Sequence, residues 1–219
     1  MTIAAKDVAQ YLKDHPDFFN QYAETLAQIS IPDPHGGRAI SITERQIGTL
    51  RDQVKRLESR LAELLRFGEE NDALSNKTQR LAVALTGSTD AASALLVLYA
   101  HLGGSFSIPH VAVRLWDVPG DPDSLEFQPL SAAAREFATT QKRPYCGAGS
   151  GPDVVAWFGE DGAHVRSVAI VALRNGNTTF GLLALGSEEP ERFYPEMGTL
   201  YLERIGELAS AVLVRTLGG

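Results

Sequence analysis

The sequence predicts an α+β fold: a mainly antiparallel sheet flanked by helices, preceded by a helical N-terminal region with a long coiled-coil helix. Three observations carry this. Ile47, Leu50, Val54, Leu57, Leu61 and Leu64 step by 3 and 4 residues, which keeps one apolar seam on one side of a helix. Ser167 to Leu173 and Thr179 to Leu185 are strand-sized apolar runs on either side of Arg174-Asn175-Gly176-Asn177, a hairpin turn. The chain closes on a helix from Leu200 to Leu217, with Ile205, Leu208, Ala209, Val212 and Leu213 at helical spacing. Strands gathered between helices, rather than alternating with them, belong to the α+β class.

The elements divide the chain into residues 1–39, 40–87 and 88–219. In the first region Val8, Ala9, Tyr11 and Leu12 suit a short helix that stops near His15-Pro16, because a residue before proline resists the α conformation. Asp17 is placed to cap a second helix with Phe18, Phe19, Tyr22, Leu26 and Ile29 on one face. The run from Ile31 to Gly37, with its prolines and glycines, reads as a loop. Ser41-Ile42-Thr43-Glu44 is a capping box that opens the long helix of the second region. Its helical pattern persists to about Leu85, a length on the order of 65 Å if unbroken. The seam lapses after Leu64, where Gly68 and Asn71 occupy its next positions, and resumes in a shifted frame at Leu74, Thr78, Leu81 and Leu85. Such a slip disturbs a coiled coil, and a kink or a departure from the partner helix is expected there.

In the third region a helix is expected from Ala94 to Phe106, ending in Gly103-Gly104. His110 to Trp116 reads as a strand with Val111, Val113 and Leu115 on one face and His110, Ala112, Arg114 and Trp116 on the other. Leu125 to Leu130 is expected to be a strand, Ala132 to Gln141 a helix, Tyr145 to Ala148 a short strand, and Val154 to Phe158 a helical turn.

Composition narrows the function. The formal net charge of −7 disfavours broad electrostatic binding to DNA or anionic lipid. The basic residues Arg45, Arg51, Lys55, Arg56, Arg60 and Arg66 are interleaved with Glu44, Asp52, Glu58 and Glu63, the pattern of a solvated helix face rather than a nucleic-acid-binding region. No segment has the length and apolarity of a membrane span or a signal peptide, and Cys146 is the single cysteine, so a cytoplasmic protein without an internal disulfide is expected.

Two motif sets carry a resemblance. Val8-x-x-Tyr11-Leu12-x-x-His15-Pro16-Asp17-Phe18-Phe19 precedes Ser41-x-x-Glu44-Arg45-Gln46-x-x-x-Leu50-Arg51. Near the C-terminus, Gly181-Leu182-Leu183-Ala184-Leu185-Gly186-Ser187 is followed by Arg192-Phe193-x-Pro195-x-Met197-Gly198-Thr199. Together these resemble the bacterial family called domain of unknown function 484, over nearly the whole chain. Glu189 stands where that pattern has an Asp before Pro190. The resemblance implies a C-terminal domain of GAF-like fold: a six-stranded antiparallel sheet with helices on one face and a pocket on the other. It brings no established activity. GAF-like domains elsewhere bind small molecules or serve as dimeric signalling modules, which is an expectation by fold analogy.

The candidate chemistry is sparse. Cys146 lies in a glycine-rich run near Lys142 and Arg143, which could lower its pKa; the competing reading is a half-buried small hydrophobe at a strand end, and it prevails. A single cysteine also lacks the partner thiol used by GAF-like methionine sulfoxide reductases. Gly147-x-Gly149-x-Gly151 is followed by Pro152 rather than a further glycine, so it reads as a loop and not a phosphate cradle. The five histidines are scattered without metal-ligand spacing, and no cofactor is indicated. The candidate ligand pocket comprises Arg114, Trp116, Tyr145, Cys146, Trp157 and Phe158, aromatic walls with one cation, suited to an anionic or planar ligand. The expected function is a non-enzymatic dimeric GAF-like module for small-molecule sensing or signalling. The alternative is a scaffold that binds a protein partner through its N-terminal helices, with no ligand.

Overall fold

The computed structural model describes residues 4–28, 30–32, 39–149 and 154–218. They fall into two compact units, Met1–Gly68 and Glu69–Gly219.

In the first unit, α1 (Ala5–Asp14) ends where the sequence predicts: His15 leaves the helical region at φ −125° and ψ 69°, while its N–H still donates to the Tyr11 carbonyl at 3.0 Å. The helix expected after Asp17 is broken into α2 (Phe18–Gln21) and α3 (Ala23–Gln28) at Tyr22. Asp17 does not cap it; its carboxylate instead accepts from the Asn20 side chain at 3.3 Å. The Tyr22 ring stacks on Phe18 at 4.8 Å, an i, i+4 pair, and Phe18 also meets Phe19 at 5.4 Å and Tyr11 at 6.3 Å. Two short strands flank the stretch read as a loop and pair antiparallel, β1 (Ser30–Pro32), which takes in its first residues Ile31 and Pro32, and β2 (Ala39–Ser41). Ile29 and the Asp33–Gly37 part of that reading lie outside the described residues, as do the side chains of the capping box.

Helix α4 (Ile42–Thr86) runs without a break through Gly68 and Asn71, so the expected kink is absent. What changes along it is its covering. Every residue from 45 to 73 is exposed, Leu74 is half-buried, and Thr78, Leu81 and Leu85 are buried. A helix tolerates this because its hydrogen bonds are internal and its residues between Arg45 and Ala73 are mostly strong helix formers.

The second unit is built on a four-stranded antiparallel sheet in the order β3-β6-β5-β4. The strands are β3 (His110–Leu115), β4 (Tyr145–Ala148), β5 (Ser167–Asn175) and β6 (Thr178–Ser187). The β5–β6 hairpin closes at Gly176, whose φ of 58° is readily adopted by glycine. The single six-stranded sheet implied by the resemblance is not formed among the described residues; this one has four strands. Leu125, expected in a strand, is 68% exposed and starts a single 3-10 turn, Leu125–Phe127, from which Phe127 packs onto the core on the helix side while Leu130 joins the second core.

One face of the sheet carries the helices. Val113, Leu115, Leu173, Leu183 and Leu185 pack against Leu81 and Leu85 of α4, and against α5 (Ala91–Ala100) and α7 (Leu200–Leu217). Helix α5 starts earlier than Ala94 because Asp90 and Ser93 form a reciprocal capping box, with Asp90 accepting from the Ser93 amide at 2.8 Å. It ends in one wider π turn, His101–Ser105, rather than as a plain helix. Helices α4 and α7 run parallel: the Tyr201 hydroxyl donates to the Asn71 carbonyl at 2.8 Å, and Arg215 donates to the Ser88 carbonyl at 2.9 Å, just past the end of α4. Gly206 lets α7 lie close on β5, since a Cβ there would sit 2.5 Å from Val171. The other face carries a second core of Ala112, Trp116, Val168, Ile170, Leu182 and Ala184, covered by α6 (Ala132–Thr140) and a 3-10 segment, Val154–His164. Ser131 caps α6, accepting from the Ala134 amide at 3.2 Å.

Gly68 has open space where a Cβ would lie. Gly68→Ala should therefore stabilise α4 by about 1 kcal/mol. Amide exchange of the neighbouring turns should slow roughly five-fold; faster exchange would show that the glycine serves a contact the sequence and packing do not reveal.

Candidate functional site

Alternation along β3 and β4 decides which of the predicted pocket residues meet. Arg114 and Trp116 leave β3 on the side away from the helices, and Tyr145 leaves β4 on the same side. Trp157 and Phe158, from the 3-10 segment, pack onto this face, and the Arg114 guanidinium lies 5.3 Å from the centre of the Trp157 ring. Phe137 of α6 meets Tyr145 edge-on at 5.8 Å. Gly186 admits Phe158, for a Cβ there would lie 2.9 Å from that ring. Gly147 similarly leaves room for the Tyr145 side chain to fold over it.

Cys146 is not part of this group. As the neighbour of Tyr145 in the strand it points to the opposite face, into the core with the helices. Burial pushes its thiol up to about 11, the reverse of what a nucleophile or a metal ligand needs. Lys142 and Arg143 do not offset this; they line a cleft beside α7 with Glu203 and Glu207. Ser150, Gly151 and Pro152 of the glycine-rich run lie outside the described residues.

The aromatic residues fill the space between the sheet and its cover. Trp116 is 7% exposed and is continuous with Val168, Ile170 and Leu182. Arg114 reaches the rim, where it belongs to a polar network that sequence reasoning did not find. Val113 sits on β3, an edge strand, and offers its N–H to the Tyr99 hydroxyl at 3.3 Å and its carbonyl to the Arg114 guanidinium at 2.9 Å. The Tyr99 hydroxyl in turn donates to Glu126 Oε1 at 2.8 Å, and the Ser124 hydroxyl donates to Glu126 Oε2. These bonds occupy the outward N–H and carbonyl of Val113, which on an edge strand would otherwise be open to another strand.

The electrostatics follow from this geometry. Burial, followed by the bond to Glu126, raises the Tyr99 phenol above its ordinary range. Burial pushes Glu126 up as well, but bonds from Ser124 and Tyr99 outweigh it and hold the carboxyl below its usual value. Burial lowers the Arg114 pKa, opposed by Tyr99 and Glu126. Tyr99 and Glu126 are 27 residues apart, and only the Ser124-x-Glu126 spacing hints at any local bond.

The predicted dimer seam lies on the exposed part of α4. Ile47, Leu50, Val54, Leu57, Leu61 and Leu64 are each between 44% and 66% exposed. Among the described residues no three His, Cys, Asp or Glu side chains converge as a metal site would need, and no helix is long and apolar enough to cross a membrane.

Because the folded-state pKa of Glu126 is depressed, its contribution to stability is present above the ordinary carboxylate value and is lost as pH falls through the folded value. Glu126→Gln should therefore be less stable than the wild type at pH 7, and the gap should close below about pH 4. Denaturant titrations at both pH values measure this; a gap independent of pH would show that the carboxylate is not held as described. Tyr99 acts with the opposite sign, its contribution full below its ordinary value near 10 and lost as pH rises.

Comparison with known proteins places the chain. An uncharacterized protein YigA of Salmonella typhimurium is 24% identical over 216 residues, which are 95% of this chain and 90% of that protein. Two solved structures that resemble it are the GAF domain of a phosphoenolpyruvate-protein phosphotransferase from Acinetobacter and free methionine-R-sulfoxide reductase from Neisseria meningitidis. The first has 12% identity over 65% of this chain and 93% of that one, with a TM-score of 0.49. The second has 17% identity over 65% of this chain and 89% of that one, with a TM-score of 0.47. The family described as protein of unknown function, DUF484, matches residues 1–217, and the chain belongs to it.

Proposed function

We propose that the chain is a non-enzymatic, cytoplasmic, dimeric module of GAF-like fold, in which residues 40–87 join a dimer seam to a sensing or signalling domain at 88–219. The observation that carries this reading is the exposed seam. Six large apolar side chains from Ile47 to Leu64 follow a coiled-coil spacing, and all are uncovered within the chain. Full burial of such a side chain contributes about 1.5–3 kcal/mol. Six of them on each of two helices are of the size needed to offset an association cost of roughly 4–15 kcal/mol. The same helix supplies Leu81 and Leu85 to the core under the sheet. A ligand that favours one packing of that core would then shift the equilibrium of the whole element. The raised pKa of Cys146 supports the non-enzymatic reading, because it keeps the single thiol protonated at neutral pH.

Leu57→Lys places a charge inside the seam without touching the sheet core. Light scattering should report a monomer with an unchanged near-ultraviolet circular dichroism spectrum. A persistent dimer would move association away from this helix.

A second reading has its own support. Tyr11 and Tyr22 are each 52% exposed beside Phe18, an aromatic surface of the kind enriched at protein interfaces. In this scaffold reading the N-terminal helices dock a protein partner. A chain lacking the residues before Gly36 should lose partner binding while keeping the thermal transition of the sheet unit; retained binding would count against it.

A further inference from the structure

A cleft of about 490 Å³ lies at the β4 edge of the sheet, between the Gln141–Pro144 segment and α7, with β5 from Val171 to Asn175 as its floor. It is separate from the aromatic group around Trp116. Strand β4 begins at Tyr145, opposite Ile170. Beyond Ile170, β5 has no strand on this side among the described residues.

The direction of the free groups follows from the ladder. The Phe180 carbonyl accepts from Trp116 at 2.9 Å on the β3 side, so alternate residues of β6, Leu182 among them, also turn that way. Their partners on β5 turn toward β4. Ile170 is met there by Tyr145, whereas Ala172, opposite Leu182, is met by nothing but the cleft. Ala172 thus presents one donor and one acceptor on the floor.

The walls are charged in opposite senses. Lys142 and Arg143 are exposed on one side, and Glu203 and Glu207 stand one turn apart on α7 on the other. Arg174 is already occupied: its guanidinium donates to the carbonyls of Ala138 and Gln141 and to the Thr179 hydroxyl, and its amide donates to the Ser210 hydroxyl at 3.0 Å. It holds the cleft in shape and leaves Lys142 and Arg143 as the cations available. Pro144, Val171, Ala211 and Val214 supply apolar surface.

We propose that this cleft binds a free α-amino acid with an aliphatic side chain. The ligand carboxylate faces Lys142, Arg143 and the Ala172 N–H. Its ammonium faces Glu203, Glu207 and the Ala172 carbonyl. The side chain lies on Val171 and Val214. A pure anion would be repelled by the α7 wall and a pure cation by the opposite one, so the charge pattern selects a zwitterion. The volume is ordinary for a small-molecule site. The proposal names a ligand class for the sensing reading and rests on it only in supposing that a small molecule is bound; the seam can fail its own test without affecting this one.

Isothermal titration of the full chain with L-leucine tests it, beside isoamylamine and 4-methylpentanoate, which each carry one of the two charges. Leucine should bind, and both analogues should bind at least ten-fold more weakly. Glu207→Gln and the double variant Lys142→Gln, Arg143→Gln should each weaken leucine binding by roughly ten-fold. These residues are exposed, so folding is not at risk, and an unchanged melting temperature confirms it. No binding of leucine at millimolar concentration, or unchanged affinity in either variant, would overturn the proposal. Binding of a leucine-containing peptide in place of the free amino acid would also overturn it, because the cleft would then be an edge for strand addition.

Discussion

Strands β5 and β6 are apolar on both sides, and a strand buried on both sides needs a layer over each. Leu183 and Leu185 of β6 face the helices, while Leu182 and Ala184 face the second core, and all four are essentially inaccessible. The helix layer is therefore obligatory, and it draws on the end of α4, on α5 and on α7. The opposite layer is built from whatever the chain can bring across: α6, the 3-10 segment and their aromatic side chains. The aromatic group read as a pocket is thus placed by the need to cover Ile170 and Leu182. That origin explains why it fills its space so closely. The edge network of Tyr99, Glu126 and Arg114 completes the enclosure on the β3 side.

The two parts of α4 differ in what holds them. Past Leu74 the helix is secured by tertiary packing. Before it, helical propensity and side-chain pairs along the surface are all that a single chain supplies, and such contributions are a few tenths of a kcal/mol each. The aromatic cluster around Phe18 shows the same economy: its rings meet one another on α1 and α2, helices that bury no residue among those described. Regions of this kind sit at the low end of local stability in an isolated chain.

Local periodicity made much of this fold legible. The β5–β6 hairpin, α7 and α4 each announce themselves by a repeat within a few residues of sequence. Features that depend on distant partners did not. The β1–β2 pair is made of three-residue strands joined through a proline-rich stretch, which reads as a loop from composition alone. Tyr99 meets Glu126 only through the fold. Cys146 follows Tyr145 within one short strand, so alternation alone sets their side chains on opposite faces and contradicts a pocket that holds both. The Glu189 departure from the family pattern also has a physical account. Its contacts are made by its backbone, the carbonyl accepting from Ser167 at 2.6 Å and the N–H donating to Ser187 at 3.1 Å, so the side-chain length is free to vary.

The register shift in β5 between Leu173 and Arg174 looks like a small irregularity. Beside it the Arg174 amide, which like those of Ile170 and Ala172 turns away from β6, donates to the Ser210 hydroxyl on α7, while the side chain crosses the sheet edge to the Ala138 and Gln141 carbonyls at the end of α6. One residue thereby acts as a rivet through three layers. A shear of α7 along the sheet must either break that rivet or drag α6 with it, so the two helical covers, though they never touch through the sheet, are mechanically a single part.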